Sequence, residues 1–190
     1  MIKKIINICG KAGSGKDTFA NYLQEEFEKR NLTILRLNYA DYLKYLCQKL
    51  FNWNGQKDEE GRTLLQKVGT DIVREQDADF WVRSVYEVAT LFDSFYDYVI
   101  CADCRFPNEN EFWQKAGYKT ETIWIERLKQ QNILNEEQLA HSSENSMLGY
   151  HFNSVVFNDT LEGLRQTAEQ YVNELLKDTK DIGNTEETNQ

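Results

Sequence analysis

Little in this sequence is there to interrupt a fold. Its 190 residues contain one proline, Pro107, and only 10 glycines, so long structureless loops are not expected. A surplus of basic charge is also missing: 22 Lys and Arg stand against 31 Asp and Glu, a formal net charge of −9. That balance excludes binding of a nucleic-acid polymer through the overall field, and an anionic substrate would need cations gathered locally. No apolar run approaches the ~20 residues of a membrane span, and the run behind Lys3-Lys4 is too short for a secretory signal. The four cysteines, Cys9, Cys47, Cys101 and Cys104, include one C-x-x-C spacing but no second pair to complete a metal site. Cys101 belongs to the apolar run Tyr98–Cys101, so the reading is of structural thiols. The expected setting is cytoplasmic, with those thiols reduced. Internal repeats and a guanine-reading N-K-x-D motif are both absent.

What is there is a chain long enough for one domain, burying ~70% of its unfolded surface, with 41% hydrophobic and 28% charged residues. It is organised around Gly10-Lys11-Ala12-Gly13-Ser14-Gly15-Lys16-Asp17-Thr18. An apolar run, Ile5 to Cys9, precedes this stretch, and a helical pattern through Phe19, Leu23 and Phe27 follows it. Strand, glycine-rich turn and helix start make a nest of inward N–H groups with a partial positive charge, which suits the oxygens of a triphosphate. Gly10, Ala12, Gly13, Ser14, Gly15, Lys16, Asp17 and Thr18 are the candidate ATP-binding residues. Lys16 would reach the β- and γ-phosphates. Asp17 stands where a hydroxyl residue usually ligates Mg²⁺, and a carboxylate beside a polyanion needs a cation between them. Asp17 is therefore expected to reach Mg²⁺ directly or through water, with Thr18 nearer the α-phosphate. The plain alternative is a glycine-rich turn with a surface lysine.

Along the chain, strands are expected at 2–9, 33–37, 98–102, 121–125 and 153–157, and helices at 16–30, 39–51, 62–76, 80–93, 109–117 and 160–176. Gly69 predicts a break in the helix over 62–76, with Thr70 or Asp71 capping the restart. Leu64, Leu65, Val68 and Ile72 form its apolar face. Arg62, Gln66, Thr70 and Arg74 form a polar stripe that is either a solvated face or part of a site. Residues 127–149 read as a polar excursion, and 179–190 as a flexible polar tail behind a single domain over 1–178. Strands alternating with helices imply a three-layer α/β/α fold around a parallel five-stranded sheet.

Sites in such sheets lie at the carboxyl ends of the strands. The glycine loop, Asp41, Asp103 and Arg127 all fall there. Asp103 either holds the water shell of Mg²⁺ or caps the following turn. Arg105, Arg74, Arg127 and Lys44 are candidate cations for phosphoryl transfer; each alone is equally readable as a surface ion-pair residue. His141 and Ser142-Ser143-Glu144 are read as a helix cap or lid segment rather than a hydrolytic set. Phe80 is read as core.

These pieces resemble the deoxynucleoside monophosphate kinase family, best known from bacteriophages. The matching stretches are GKAGSGKDT (10–18), NYADYLK (38–44), GRTLLQKVGTDIVRE (61–75), DADFWV (77–82), VICADCRFPNENEF (99–112), GYKTETIWIER (117–127) and HSSE (141–144). The resemblance implies a P-loop kinase fold with an acceptor-binding helical insertion at about 39–93 and a small lid at about 127–149. It implies transfer of the γ-phosphoryl group of ATP, with Mg²⁺, to a deoxynucleoside 5′-monophosphate. Carried over by position, Lys16, Asp17, Asp103, Arg105 and Arg127 would be catalytic, with Asp17 and Asp103 beside the metal. Asp41, Lys44, Arg74, Trp81 and Arg105 would line the acceptor site. Gln66 is added from the polar stripe, as an amide able to read a base edge. Tyr39 and Cys104 stand where the family commonly has phenylalanine and valine, and the lid is poor in arginine apart from Arg127. The implied partners are small nucleotides, with no nucleic acid and no membrane, and a homodimer is left open. Two other readings are another small-molecule P-loop kinase, such as a phosphomevalonate kinase, and a non-catalytic nucleotide-binding module.

Overall fold

The computed structural model describes residues 1–127 and 134–186. In chain order the elements begin β1 (Lys4–Cys9), α1 (Lys16–Glu28), β2 (Ile34–Leu37), α2 (Ala40–Phe51) and α3 (Glu59–Gln66). A π-helical stretch, Lys67–Arg74, continues α3 directly. Then come α4 (Phe80–Leu91), β3 (Tyr98–Cys104), α5 (Asn108–Lys115), β4 (Thr120–Glu126), α6 (Glu136–Ala140), α7 (Ser142–Asn145), β5 (Ser154–Phe157) and α8 (Leu161–Glu186).

The five strands form one parallel sheet in the order β2-β3-β1-β4-β5, as the alternation predicts. β1 is central because it is apolar on both faces: Ile5 to Cys9 are all buried. Successive side chains point to opposite faces, and the core divides accordingly. Ile6, Ile8, Ile100, Ala102, Ile123 and Ile125 pack with Phe19, Leu23 and Phe27 of α1 and Leu164, Ala168 and Val172 of α8. Ile5, Cys9, Val99 and Cys101 pack on the other face with Leu43, Val82, Val85 and Trp113 from α2, α4 and α5. Each such aliphatic or aromatic side chain removed from water contributes roughly 1.5–3 kcal/mol. All four cysteines are buried free thiols, which fits their reading as structural.

Several local expectations change. The helix predicted over 62–76 starts earlier, at Glu59, where the Asp58 side chain accepts from Gly61 N at 2.8 Å. It does not break at Gly69, and neither Thr70 nor Asp71 caps a restart. Gly69 is there for packing instead: a Cβ would lie 2.6 Å from Leu43 Cδ2. The wider π turn also shifts the phase of the helix. Ile72, expected on the apolar face, is 39% exposed. β3 runs past Ala102 to Cys104, so Asp103 lies within the strand rather than at its end. The excursion after β4 contains α6 and α7, the first capped by reciprocal Asn135–Gln138 hydrogen bonds. Residues 128–133 of the expected lid lie outside the described residues. α8 continues past Leu176 to Glu186, where the lack of apolar periodicity predicts a tail. Once a helix is nucleated, each further residue adds a hydrogen bond without a new nucleation cost. Residues 187–190 lie outside the described residues. No helix of the described residues is long and apolar enough to cross a membrane.

Candidate functional site

The loop after β1 owes its curl to three glycines with positive φ: Gly10 at 144°, Gly13 at 79° and Gly15 at 102°. The space around two of them is closed as well. A Cβ on Gly10 would lie 2.6 Å from Ile125 O, and one on Gly15 would collide with Asn158 Nδ2. Asn158, just beyond β5, is buried and donates Nδ2 to Ser14 O at 2.7 Å, so it clamps the loop from the far edge of the sheet. Ser14 Oγ is buried with no hydrogen-bond partner, as expected of a group that awaits a ligand oxygen. With this orphan, the turned N–H groups and the α1 start, the loop fits a polyphosphate.

Lys16 opens α1 and is buried. Its Nζ donates to Gly10 O at 2.8 Å and Lys11 O at 2.9 Å. Burial, and next the nearby Arg105 guanidinium, lower its pKa to about 8. Asp17, in the first turn of α1, is exposed, lines the cleft, and its carboxylate makes no hydrogen bond or ion pair among the described residues. Asp103 is occupied differently. Its two carboxylate oxygens accept from Tyr39 N at 2.9 Å and Ala40 N at 3.0 Å, so it caps the start of α2. Burial nevertheless raises its pKa. Asp103 thus caps α2 and not the turn that follows it, and it lines the same cavity as Asp17 and Lys16. Two carboxylates beside a phosphate nest fit Mg²⁺, which keeps several waters and takes only one or two protein carboxylates. No cluster of three or more His, Cys, Asp or Glu side chains placed to hold a metal ion occurs among the described residues.

The cavity beside the loop has a volume of about 450 Å³, within the usual range for small-molecule sites. Its far wall is the α3–π-helix face. Arg62, Gln66, Thr70 and Arg74 all line it, so the polar stripe faces the cleft and not bulk solvent. Arg74 is held on every side: by Glu109 through a short ion pair, by Ala78 O at 3.0 Å and Asn108 Oδ1 at 3.3 Å, and by Phe106, whose ring centre lies 3.9 Å from Cζ. Glu109 is almost fully buried, which pushes its pKa up against the pull of Arg74. Its other oxygen accepts from Arg105 N at 2.7 Å and Phe106 N at 3.1 Å. Glu109 therefore ties the Arg74 helix to the strand end that carries Arg105. Arg105 pairs with Glu144 of α7 and donates to Ser143 O at 3.1 Å. Trp81 is buried, lines the cavity and donates Nε1 to Gly69 O at 2.8 Å.

Other expected residues sit elsewhere. Asp41 is not among the lining residues: it is exposed, pairs with Lys44 Nζ at 2.8 Å and accepts from Asn38 Nδ2. Lys44 does line the cavity. Gln66 lines it too, with Nε2 donating to Gln138 O at 3.2 Å. Arg127 lies outside the cavity lining, with Nη1 donating to Gly13 O at 3.2 Å on the rim of the loop. Thr18 is also outside that lining. His141 caps α7, accepting from Ser143 N at 3.2 Å, and its Nε2 meets Asp71 Oδ1 at 3.1 Å, which is the capping reading of the His-Ser-Ser-Glu run. Phe80 is half-buried, edge-on to Trp81 with ring centres 4.8 Å apart.

Sequence reasoning missed Asn158, Glu109, Glu144 and Lys57 as parts of the site, and left Arg62 on the polar stripe without a role. Glu109 and Glu144 lie inside stretches already singled out, beside Arg105 and His141. No local pattern marks Asn158 or Lys57.

The profile of the deoxynucleotide monophosphate kinase family matches residues 36–168. Among solved structures, an unliganded sugar kinase from Janibacter sp. HTCC2649 superposes with a TM-score of 0.51 at 12% identity, covering 91% of this chain and 95% of that one. A cysteine-to-alanine variant of the APS kinase of Mycobacterium tuberculosis gives a TM-score of 0.50 at 13% identity, covering 93% and 98%. At such identities the likeness is one of fold. No curated protein sequence matches the chain.

Proposed function

The chain belongs to the deoxynucleotide monophosphate kinase family, and on that premise we propose that it transfers the γ-phosphoryl group of ATP to a deoxynucleoside 5′-monophosphate, giving the diphosphate and ADP. One observation carries the reading: a single cavity is lined by Lys16 and Asp17 of the glycine loop and α1, by Asp103 and Arg105 at the end of β3, and by Arg74 and Trp81. The donor would bind with its phosphates on the glycine loop and Lys16. The acceptor would enter against the α3–π-helix wall, its base near Trp81 and Gln66 and its phosphate near Arg105.

Phosphoryl transfer demands little covalent chemistry of a protein, since its transition state is loose and catalysis is positioning plus charge stabilisation. Lys16 supplies a desolvated point charge. Arg74, locked by Glu109 and Phe106, keeps the acceptor wall in register with Arg105. Asp17 and Asp103 would hold Mg²⁺, which when bound neutralises charge between the phosphates. The segment carrying α6 and α7 serves as a lid, with Glu144 on Arg105 helping to exclude water. Small nucleotides are the partners of such a site, in the cytoplasm.

The test is ADP release from Mg·ATP with dGMP, dTMP, dCMP, dAMP or phosphomevalonate as acceptor. Stimulation by at least one deoxynucleotide, abolished by chelating Mg²⁺, is the expected result. Stimulation by phosphomevalonate alone, or by no acceptor, rejects the proposal.

A further inference from the structure

The cleft contains more cations than its ion pairs use. Among the described residues six line it: Lys16, Lys44, Lys57, Arg62, Arg74 and Arg105. Lys16 is folded onto loop carbonyls, Lys44 pairs with Asp41, Arg74 with Glu109 and Arg105 with Glu144. Lys57 and Arg62 are left with no side-chain hydrogen bond or ion pair among the described residues. A free cation can meet an incoming phosphate directly, whereas a paired one must first abandon its carboxylate, which is costly where that carboxylate is buried.

Lys57 lines the same cavity as Lys16, Asp17, Lys44, Asp103 and Arg105. The charges of Lys44, Asp17, Asp103 and Arg105 act on it across that cavity. Lys57 is exposed along part of its length, and desolvation of the rest, followed by the nearby Lys44, lowers its pKa.

The loop that bears Lys57, between α2 and α3, is pinned on both sides of it. Trp53 Nε1 donates to Gln56 O at 2.9 Å and Gln56 N to Asn54 Oδ1 at 2.8 Å, while Asp58 caps α3 through Gly61 N at 2.8 Å. Gly61 permits this closure, because a Cβ there would collide with Gln56 O and lie 2.6 Å from Trp53 Nε1. The pinned loop fixes where the Lys57 backbone stands, so that only the side chain itself must settle when a phosphoryl group arrives.

We infer that Lys57 is a further catalytic residue, its ammonium touching the phosphoryl group as that group passes between the nucleotides. The inference rests on the proposed kinase reaction. In the step itself, an oxygen of the acceptor phosphate forms a bond to the γ-phosphorus. The bond from that phosphorus to the β–γ bridging oxygen breaks, and its electron pair stays on ADP. Lys57 neither gives nor takes a proton; it balances charge on the equatorial oxygens.

The experiment compares wild type, Lys57→Gln and Lys57→Arg. Steady-state kinetics are measured with ATP and the best deoxynucleotide, and calorimetry is run with ATP alone and with an adenosine–deoxynucleoside pentaphosphate that spans both sites. In Lys57→Gln, kcat is expected to fall about 100-fold, with the KM for ATP and the melting temperature unchanged. Its affinity for the bridging analogue, but not for ATP alone, is expected to fall, and Lys57→Arg to recover much of both losses. A Lys57→Gln enzyme with kcat within threefold of wild type, or with equal loss of ATP and analogue binding, overturns the role of Lys57 alone. Wild type that neither phosphorylates a monophosphate nor binds the analogue overturns the kinase reading, and this inference with it.

Discussion

The two walls of the cleft are built by different means. The proposed donor wall is local: a buried strand, three glycines at positive φ and a helix start, all within residues 4–18, held from outside by Asn158 and, at the rim, by Arg127. The acceptor wall is assembled from distant segments. Arg74 reaches Glu109 and Phe106, Arg105 reaches Glu144, and Gln66 reaches the backbone of Gln138. The donor wall leaves polar groups waiting, such as Ser14 Oγ and the Asp17 carboxylate. The acceptor wall satisfies most of its charges internally before any substrate arrives. A short loop can specify a nest by backbone geometry alone, but a wall assembled from several helices must spend its charges on holding those helices together.

The sharpest way to break the comparison is to remove one group from each wall. Lys16→Ala should lower kcat/KM by about 1,000-fold while the melting temperature holds or rises, since the ammonium is desolvated in the free protein; kinetics beside a thermal melt would show it. Glu109→Ala should do the reverse, with stability as the primary loss. It strands the nearly buried Arg74, at a cost of about 3–5 kcal/mol, read from the shift in urea midpoint. Equal stability losses in the two variants would erase the distinction between the walls.

A pH titration sharpens the donor side. The free-protein pKa of Lys16 is about 8, and a bound polyphosphate favours the charged form, so binding above pH 8 must take up a proton. ATP affinity should fall by up to about tenfold per pH unit there, and calorimetry in buffers of different ionisation enthalpy should register the uptake. The sign for folding is opposite. The folded pKa lies below the ordinary 10.5, so the unfolded chain binds more protons between about 8 and 10.5, and the Lys16 contribution to stability rises with pH across that window. The smallest effect belongs to the lid. Glu144→Gln loosens Arg105, whose side chain is 29% exposed. Stability should change by under about 1 kcal/mol, with a few-fold change in the acceptor KM and little in that for ATP.

Much of the donor wall was legible because its determinants are contiguous: the glycine spacing, the strand before it and Lys16 read directly from residues 5–16. The acceptor wall was legible only in its parts. Arg74 and Arg105 were identified as cations, but not that Glu109 ties them together. Asp41 was expected in the site because it follows β2, yet it pairs with Lys44 outside the cavity lining. Gly69 read as a helix break because its lack of a side chain costs about 1 kcal/mol in isolation, whereas its role is to admit Leu43.

The amino-acid order alone determined the alternation of strands and helices, the phosphate nest and the gathering of Asp103 and Arg105 at one end of the sheet. Those features follow from φ preferences and hydrophobic periods that neighbouring residues set among themselves. Tertiary structure decided which charges are spent and which are free: Arg74 and Arg105 are consumed in pairs, Asp103 is shared with a helix cap, and Lys57 lines the cavity without an ion pair among the described residues. The strength and availability of a charge depend on its burial and on the charges beside it, and those are properties of the packed molecule.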